Sequence, residues 1–523
     1  MAGKQSGLRL TRRRLLAGAG ASAAVSMLGG IRGPYISRAS ERPLITHGIQ
    51  SGDVSLDSGV VWARADRPSR MLVEIATTDS FAEIRDAIAI DVLPESDFTG
   101  KILLEDLPSG EEIFYRVSFA DLSAPTILSE TQIGHFRTAP DEPRDITFVW
   151  SGDTAGQGWG IDEARGGFRT YATMLQNRPD FFIHCGDNIY ADCPIPPELA
   201  LPNGEIWRNR VTEEKSRMAV ELADYRGNYK YNLLDENVRA FNAEIPILAQ
   251  WDDHEVANDW VPGEILPDHA NSNAMLLAAR GRRAFCEFMP MRQTLAETGR
   301  IYRKISYGPL LDIFLLDMRS YAGPGAAPRM SGAGSAGHVL GPAQLKWFKR
   351  EMLASTATWK VIAADLPLAM IGAEAQSEEE RRGAETEIAD LLAFIKHAGL
   401  ANLVWITADM HYTAAHRYSP DRARFQDFDP FWEFVSGPLH AGTWGPAPLP
   451  QTFGPAVMFA KGCDADMRDN LAPCFGRQFF GHVAIDAATE VMRVTLKDVG
   501  DRDLWSTEIE PAPPQPVKEA RRV

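Results

Sequence analysis

Six apolar runs of strand length lie between residues 145 and 412, and each gives way to polar side chains at or near its end. They are DITFVWSGD, DFFIHCGDNIY, IPILAQWDDHE, LLDIFLLDMRS, WKVIAADLPLAM and NLVWITADMHY. Runs this short and this apolar suit strands buried on both faces. Between the first two, EARGGFRTYATMLQNR sets Phe168, Tyr171 and Leu175 at three- and four-residue steps, the spacing of one helix face. Strand–helix–strand alternation predicts a layered α/β domain, in which the loops after the carboxyl ends of strands carry the ligands. FFGHVAIDAATEVMRVTLKDVG reads as a β-hairpin that closes this domain.

Residues 44–140 read as all-β instead. GVVWARA, MLVEIATT, KILLEDL, IFYRVSFA and IGHFRTAP are short apolar or alternating segments separated by turn residues. The piece LPSGEEIFYRVSF has the look of an immunoglobulin- or fibronectin-like strand pair with a tyrosine in the later strand. The chain of 523 residues is too long for one core. The expected division is a signal segment over 1–40, a β-sandwich over 41–140 and the α/β domain over 141–510. The Gly/Pro/Ala-rich stretch 322–337 is expected to be a long loop.

Residues 1–40 hold no acid, and TRRRLL precedes the mild run AGAGASAAVSMLGG, the pattern of a twin-arginine export signal. Its partner would be the twin-arginine export machinery, and its destination the periplasm or the medium. Cleavage between Arg32 and Arg38 would remove the six positive charges of Lys4, Arg9, Arg12, Arg13, Arg14 and Arg32, taking the net charge from −16 to −22. With 70 acids against 54 bases, nucleic acid is not expected as a structural partner. No later apolar run approaches membrane-spanning length, so no stable membrane anchor is expected. The five cysteines lack paired metal spacing. Cys463 and Cys474 could pair in an oxidising compartment, while Cys185 reads as a small buried hydrophobe.

The strand ends carry the chemistry. Asp153 comes from SGDTAGQG, Asp187 and Tyr190 from GDNIYAD, Asp252, Asp253 and His254 from WDDHE, and Asp409 and His411 from ADMHY. One such acid is as readily a helix cap or a solvated turn; its recurrence on successive strands is the signal. Carboxylates converging on one spot repel each other unless cations hold them. Oxygen donors with histidine suit a ferric, manganese, zinc or calcium centre, not a thiolate site. Such a cation would lower the pKa of bound water toward neutrality.

The order D, GD, [GN or D]H[DE], [GH or D]xH resembles that of the calcineurin-like metallophosphoesterases. GDNIYAD, WDDHE and ADMHY resemble the alkaline phosphatase D (PhoD-like) family, as do the β-sandwich and the export signal, and the similarity runs from about residue 44 to near residue 505. The resemblance implies an α/β (α+β) metallophosphatase sandwich behind an immunoglobulin/fibronectin-like β-sandwich, acting on phosphate esters. It makes Asp187 a carboxylate bridging two metals and Tyr190 a phenolate ligand of ferric iron. Asp253 and Asp409 stand where other versions carry asparagine and histidine, with His411 on the iron side. His254 would face the phosphate as catalytic acid or stabiliser. Asp153 stands where some members carry an iron-bound cysteine, and Asp365 where the wider superfamily carries a further histidine. Ferric iron and calcium are the implied cofactors, with zinc or manganese as alternatives.

Other residues keep two readings each. Tyr190 could be an interface tyrosine bonded to a carboxylate, and His254 a capping residue. Arg319 could grip a phosphate oxygen or pair with Asp317 or another acid. Asn258 and Asp259 take calcium or cap a helix. His416 and His440 back the site or sit satisfied in loops, and Trp159 walls the pocket or packs in the core. Monoesters and diesters stay open as substrates. The rival functions are a phospholipase-D-like phosphodiesterase and a catalytically silent metal- or phosphate-binding protein.

Overall fold

In Ile113, Tyr115, Val117 and Phe119 the strand Glu112–Asp121 buries every second side chain, the period-two pattern of a sheet with one covered face. The computed structural model containing it describes residues 8–9, 42–294, 297–324, 337–371, 373 and 377–512. The export signal, apart from Leu8 and Arg9, and residues 325–336 of the Gly/Pro/Ala-rich stretch lie outside the described residues. The chain divides into two units: residues up to 139 with 239–247 and 287–292, and the remainder.

The first unit is built of β1 (Ile45–Gly52), β2 (Gly59–Ala65), β3 (Ser69–Ala76), β4 (Asp86–Val92), β5 (Thr99–Leu104), β6 (Glu112–Asp121) and β7 (Gln132–Arg137). β1, β2 and β5 pair antiparallel in that order. So do β4, β3, β6 and β7. Met71, Val73 and Ile75 of β3 join the inward residues of β6 in one core with Val61, Ala63, Ile102 and Leu104. The arrangement is sandwich-like. Sequence reading passed over β1 and β4. β1 buries polar Gln50 and Ser51 beside Ile49, its one large buried apolar group, and β4 is mostly half-buried.

The second unit holds β8 (Ile146–Ser151), β9 (Phe181–Cys185), β10 (Ile247–Gln250), β11 (Arg303–Ser306), β12 (Leu311–Leu315), β13 (Trp359–Ala363), β14 (Leu403–Thr407), β15 (Thr413–Tyr418), β16 (Phe431–Val435), β17 (Pro455–Lys461), β18 (Phe479–Ile485), β19 (Met492–Asp498) and β20 (Asp503–Ile509). One sheet runs β20-β19-β18-β8-β9-β10 in this unit, and the other β11-β12-β13-β14-β16-β15-β17. β12, β13, β14 and β16 are parallel, as are β8 and β9. The hairpin read near the C-terminus is β18–β19, in register from Phe479 opposite Asp498.

The sheets face each other where Trp150 meets Phe434, ring centroids 6.5 Å apart, and donates its indole N–H to the Thr407 carbonyl at 3.3 Å. Four helices matter for the argument: α1 (Arg169–Gln176), α2 (Leu222–Asn232), α3 (Gly341–Ala354) and α4 (Glu378–His397). α3 and α4 cover the second sheet through Phe348, Ile388 and Leu391 against Phe314, Ile362 and Trp405. The helix expected over EARGGFRTYATMLQNR is shorter than its spacing predicts. Gly166 and Gly167 take φ of 88° and 60°, which halts the chain before α1 begins at Arg169. None of the five cysteines forms a disulfide, so Cys463 and Cys474 are not joined; Cys463 Sγ donates to the Thr443 carbonyl at 3.1 Å instead. No helix among the described residues is long and apolar enough to cross a membrane.

Candidate metal centre

β8 and β9 are parallel neighbours with Ser151 opposite His184, so the residues just beyond their carboxyl ends emerge side by side. Those residues are Asp153 and Asp187. The peptide N–H of Thr154 donates to the Asp187 carbonyl at 2.9 Å, tying the two turns together. β10, the next strand, delivers Asp252, Asp253 and His254, and β14 of the facing sheet delivers Asp409 and His411. Asp153, Asp187, Asp409 and His411 all take left-handed backbone, with φ of 68°, 53°, 63° and 56°. Each such non-glycine residue costs about 1–2 kcal/mol. Strain concentrated at one spot is stored where surrounding packing enforces it, commonly at functional sites. Gly186 is required beside Asp187: its φ is 100°, and a Cβ there would lie 2.5 Å from that of Asp252.

Two groups of donor atoms result, each lying within 4.8 Å of one another: Asp153, Asp187 and His411, and Asp187, Asp253 and His254. Asp187 belongs to both. Tyr190 joins the first group, its hydroxyl 3.0 Å from His411 Nε2 and 3.4 Å from Asp153 Oδ1. Asp409 is half-buried at the same turn as His411 and belongs to neither group.

The electrostatics describe a site short of positive charge. Burial, with Asp253 and Glu255 adding to it against the pull of His254, raises the Asp153 carboxyl to about 7. Burial and the neighbouring carboxylates push Asp187 well above the usual range. Burial, then Asp187 and Asp153, raise the Tyr190 phenol as well. Burial lowers His411 to about 3 and so keeps it neutral. With Nδ1 2.6 Å from the Gly442 carbonyl, its proton sits there and the Nε2 lone pair faces Asp153 and Tyr190. Asp153 Oδ2 and Asp253 Oδ1 are buried with no hydrogen-bond partner among the described residues. Buried acceptors left without donors cost about 1–3 kcal/mol each. Oxygens without donors, a neutral imidazole lone pair and a shared carboxylate fit a pair of hard cations.

His254 sits beside the groups in a different state. Its Nδ1 lies 2.7 Å from Asp192 Oδ1, and its ring lies over Tyr190 with centroids 4.2 Å apart. Burial opposes its charge, yet Asp192, Asp253 and Asp187 together raise it well above an ordinary histidine. Asp192 is buried too, but His254 and the Asn258 N–H hold its carboxyl low. The pair is an imidazolium–carboxylate. Its backbone N–H also donates to Asp187 Oδ1 at 3.2 Å.

Arg319, at the end of β12, is buried and donates Nε to Asp252 Oδ1 at 2.6 Å, with Asp253 at 3.8 Å and Asp259 at 4.0 Å. The partner acid is thus Asp252, while Asp317 Oδ1 receives the Trp251 indole and the Arg319 peptide N–H. Asn258 and Asp259 donate peptide N–H groups to Asp192 and Asp253. His440 bonds the Gly160 carbonyl at 2.9 Å, His416 bonds Glu433, and Trp159 packs with Leu201, Trp207 and Ala472, so these three are satisfied in their surroundings. The sequence places Asp252 among the converging strand-end acids without a specific role, and gives no part to Asp192, Glu255 or Gln157. Glu255 ties the two turns by accepting from Asn188 and from the Asp252 N–H, and Gln157 Nε2 lies 3.4 Å from His411 Nε2. Asp192 was visible as the last letter of GDNIYAD; nothing in the sequence marks Gln157.

The PhoD-like phosphatase family matches residues 148–496, and the PhoD-like phosphatase N-terminal domain matches residues 31–140. Alkaline phosphatase D of Bacillus subtilis (strain 168) is 25% identical over 444 residues, covering 78% of this chain and 73% of that protein. The solved structure of PhoD superposes with a TM-score of 0.66 at 20% identity, over 91% of this chain and 90% of that one. A purple acid phosphatase from yellow lupin (Lupinus luteus) seeds superposes with a TM-score of 0.54 at 12% identity, over 90% of this chain and 74% of that one. At these identities the two structures speak for the fold alone.

Proposed function

The chain belongs to the PhoD-like phosphatase family, and on that premise we propose that it is an exported, metal-dependent phosphoester hydrolase of the alkaline phosphatase D type. The observation that carries the reading is the pair of donor groups sharing Asp187, with carboxylate oxygens buried and lacking donors. Asp153, Tyr190 and His411 would hold one cation, Asp253 a second, and Asp187 both; Asp409, outside both donor groups, is assigned to the second by the resemblance alone. Ferric iron at the tyrosine side with calcium beside it is the filling the resemblance implies; zinc or manganese are the alternatives. Cations bound there would supply activation of water and neutralisation of charge on the phosphoryl oxygens.

The protein's own groups do the rest. Asp192 holds His254 by Nδ1, which leaves the Nε2 proton for the departing ester oxygen as the phosphorus–oxygen bond breaks. Arg319, oriented by Asp252, would meet a phosphate oxygen. Export rests on the TRRRLL segment, and the immunoglobulin- or fibronectin-like identity of the first unit on its strand pattern.

Metal analysis and a visible spectrum on protein purified from the periplasm, with turnover of p-nitrophenyl phosphate and bis-p-nitrophenyl phosphate, test the proposal. A visible charge-transfer band lost in Tyr190→Phe supports an iron–phenolate. A colourless, zinc-only active enzyme rejects the iron, and metal-loaded protein inert on both esters rejects the hydrolase.

A further inference from the structure

Lys215 is a buried ammonium that belongs to neither donor group. It stands in the one-turn stretch Glu214–Ser216 ahead of α2 and makes no ion pair among the described residues. Its Nζ donates instead to the main-chain carbonyl of Tyr190 at 2.7 Å. Burial lowers its pKa to about 8, and Cys193 and Asp192 offset only part of that. A charge taken out of water without a paired acid is expensive. A methionine would fill nearly the same space without that cost, so what the ammonium grips has to account for it.

The gripped residue is one whose placement is narrow. Tyr190 sends its hydroxyl to 3.0 Å from His411 Nε2 and 3.4 Å from Asp153 Oδ1. Its ring lies over His254, and a Cβ on Gly156 would come within 2.6 Å of it. Packing against flat neighbours fixes the plane of a ring but not how far it extends along that plane; the main chain sets the extension. The Ala191 N–H donates to the His254 carbonyl and the Ala191 carbonyl accepts from the Ala219 N–H, each at 2.8 Å. Asn232 Nδ2 donates to the Asn188 carbonyl at 2.7 Å, and between these anchors the Tyr190 carbonyl is held by Lys215. We propose that Lys215 is a positioning residue of the metal centre: by fixing the Tyr190 carbonyl it sets how far the phenol reaches toward His411 and Asp153. The proposal rests on the reading of Tyr190 as a metal ligand and adds to it a residue outside GDNIYAD, WDDHE and ADMHY.

Calorimetric titration of the metal-free full chain with zinc tests it without requiring turnover. Tyr190→Phe marks the tyrosine-side site by the affinity it weakens. Lys215→Met removes the N–H donors and is expected to weaken zinc at that same site about tenfold, the usual effect of losing a group that holds a ligand in place. In the Tyr190→Phe background, adding Lys215→Met should cost no more than about twofold, because a residue acting through the phenol has nothing left to position. Should Lys215→Met not fold, the shorter, uncharged Lys215→Gln is held to the same outcomes. Unchanged zinc affinity in the variant would overturn the proposal and leave the metal-centre reading intact. A loss of equal size with and without the phenol oxygen would also overturn it, since a purely structural support weakens both backgrounds alike. A wild type that binds no zinc would sink the metal-centre reading and this proposal with it.

Discussion

Two buried clusters in the second unit use the same side-chain types and come out oppositely. In one, Glu433 Oε2 accepts from Tyr418 at 2.7 Å and lies 3.1 Å from His416 Nδ1, while Oε1 accepts the Leu368 N–H at 2.7 Å. These three side chains stand on regular antiparallel strands, and both carboxylate oxygens are satisfied. In the other, Asp153, Asp187 and His411 stand on left-handed backbone past strand ends with Tyr190 beside them, carboxylates crowded together and an Asp153 oxygen left without a donor. Acid, phenol and imidazole are common to both. What separates them is whether protein donors close the hydrogen bonds and whether the backbone is strained to hold the groups. The first cluster contributes to the fold; the second is held by the fold at a cost.

That contrast can be broken by mutation. Asp187→Asn is expected to lower turnover of p-nitrophenyl phosphate by about a thousandfold or more, because both donor groups lose a shared anion. The same change should leave the metal-free melting temperature unchanged or raise it, since it relieves repulsion. A metal-free protein clearly destabilised by Asp187→Asn would erase the distinction. Glu433→Ala should do the reverse, costing about 2–4 kcal/mol in denaturant unfolding by stranding Tyr418, His416 and a peptide N–H, with turnover per folded molecule unaffected.

Between these extremes stands Asp192, satisfied like Glu433 but aimed at the site through His254. Asp192→Asn is expected to cost about 10–100-fold in kcat, the usual effect of losing a partner that orients a functional group, with little change in stability. Steady-state kinetics beside a thermal melt would read both.

The smallest effect belongs to Asp224, a carboxylate with no part in the site. It accepts from the Val220 and Glu221 N–H groups at the start of α2, and Arg217 bonds its other oxygen. Burial would raise it, but the Glu221 N–H, Arg217 and the Val220 N–H outweigh that and hold it below the usual carboxylate value. Asp224→Ala should cost about 1 kcal/mol. A lowered folded pKa contributes fully above the unfolded value near ~3.9 and is lost as pH falls through the folded one. The wild-type advantage over Asp224→Ala should therefore be complete at neutral pH and fade in acid, as unfolding titrations at several pH values would show.

Much of the architecture was legible. The apolar runs that became β8, β9, β12, β13 and β14 needed only continuous hydrophobicity, since strands buried on both faces leave no polar side to confuse the pattern. β1 was hidden because it buries polar Gln50 and Ser51, and α1 began late because two glycines precede it. The acids at strand ends were visible for the same reason the strands were: each interrupts an apolar run.

Local order therefore belongs to the sequence by itself: which segments are strands, where they stop, and that acids, a phenol and imidazoles stand at those stops. Hydrophobic periodicity and turn chemistry act over a few residues, and no distant partner is needed to read them. Which of those groups share a space was decided by tertiary structure alone. The parallel register of β8 and β9 sets Asp153 beside Asp187, and the facing of two sheets brings His411 to them across more than two hundred residues of chain. The same packing gave Asp192 to His254 and Asp252 to Arg319, and left Asp253 with an oxygen that no protein donor reaches. Charge in a buried site depends on every neighbour within a few ångströms, and neighbours of that kind exist only once the chain has closed.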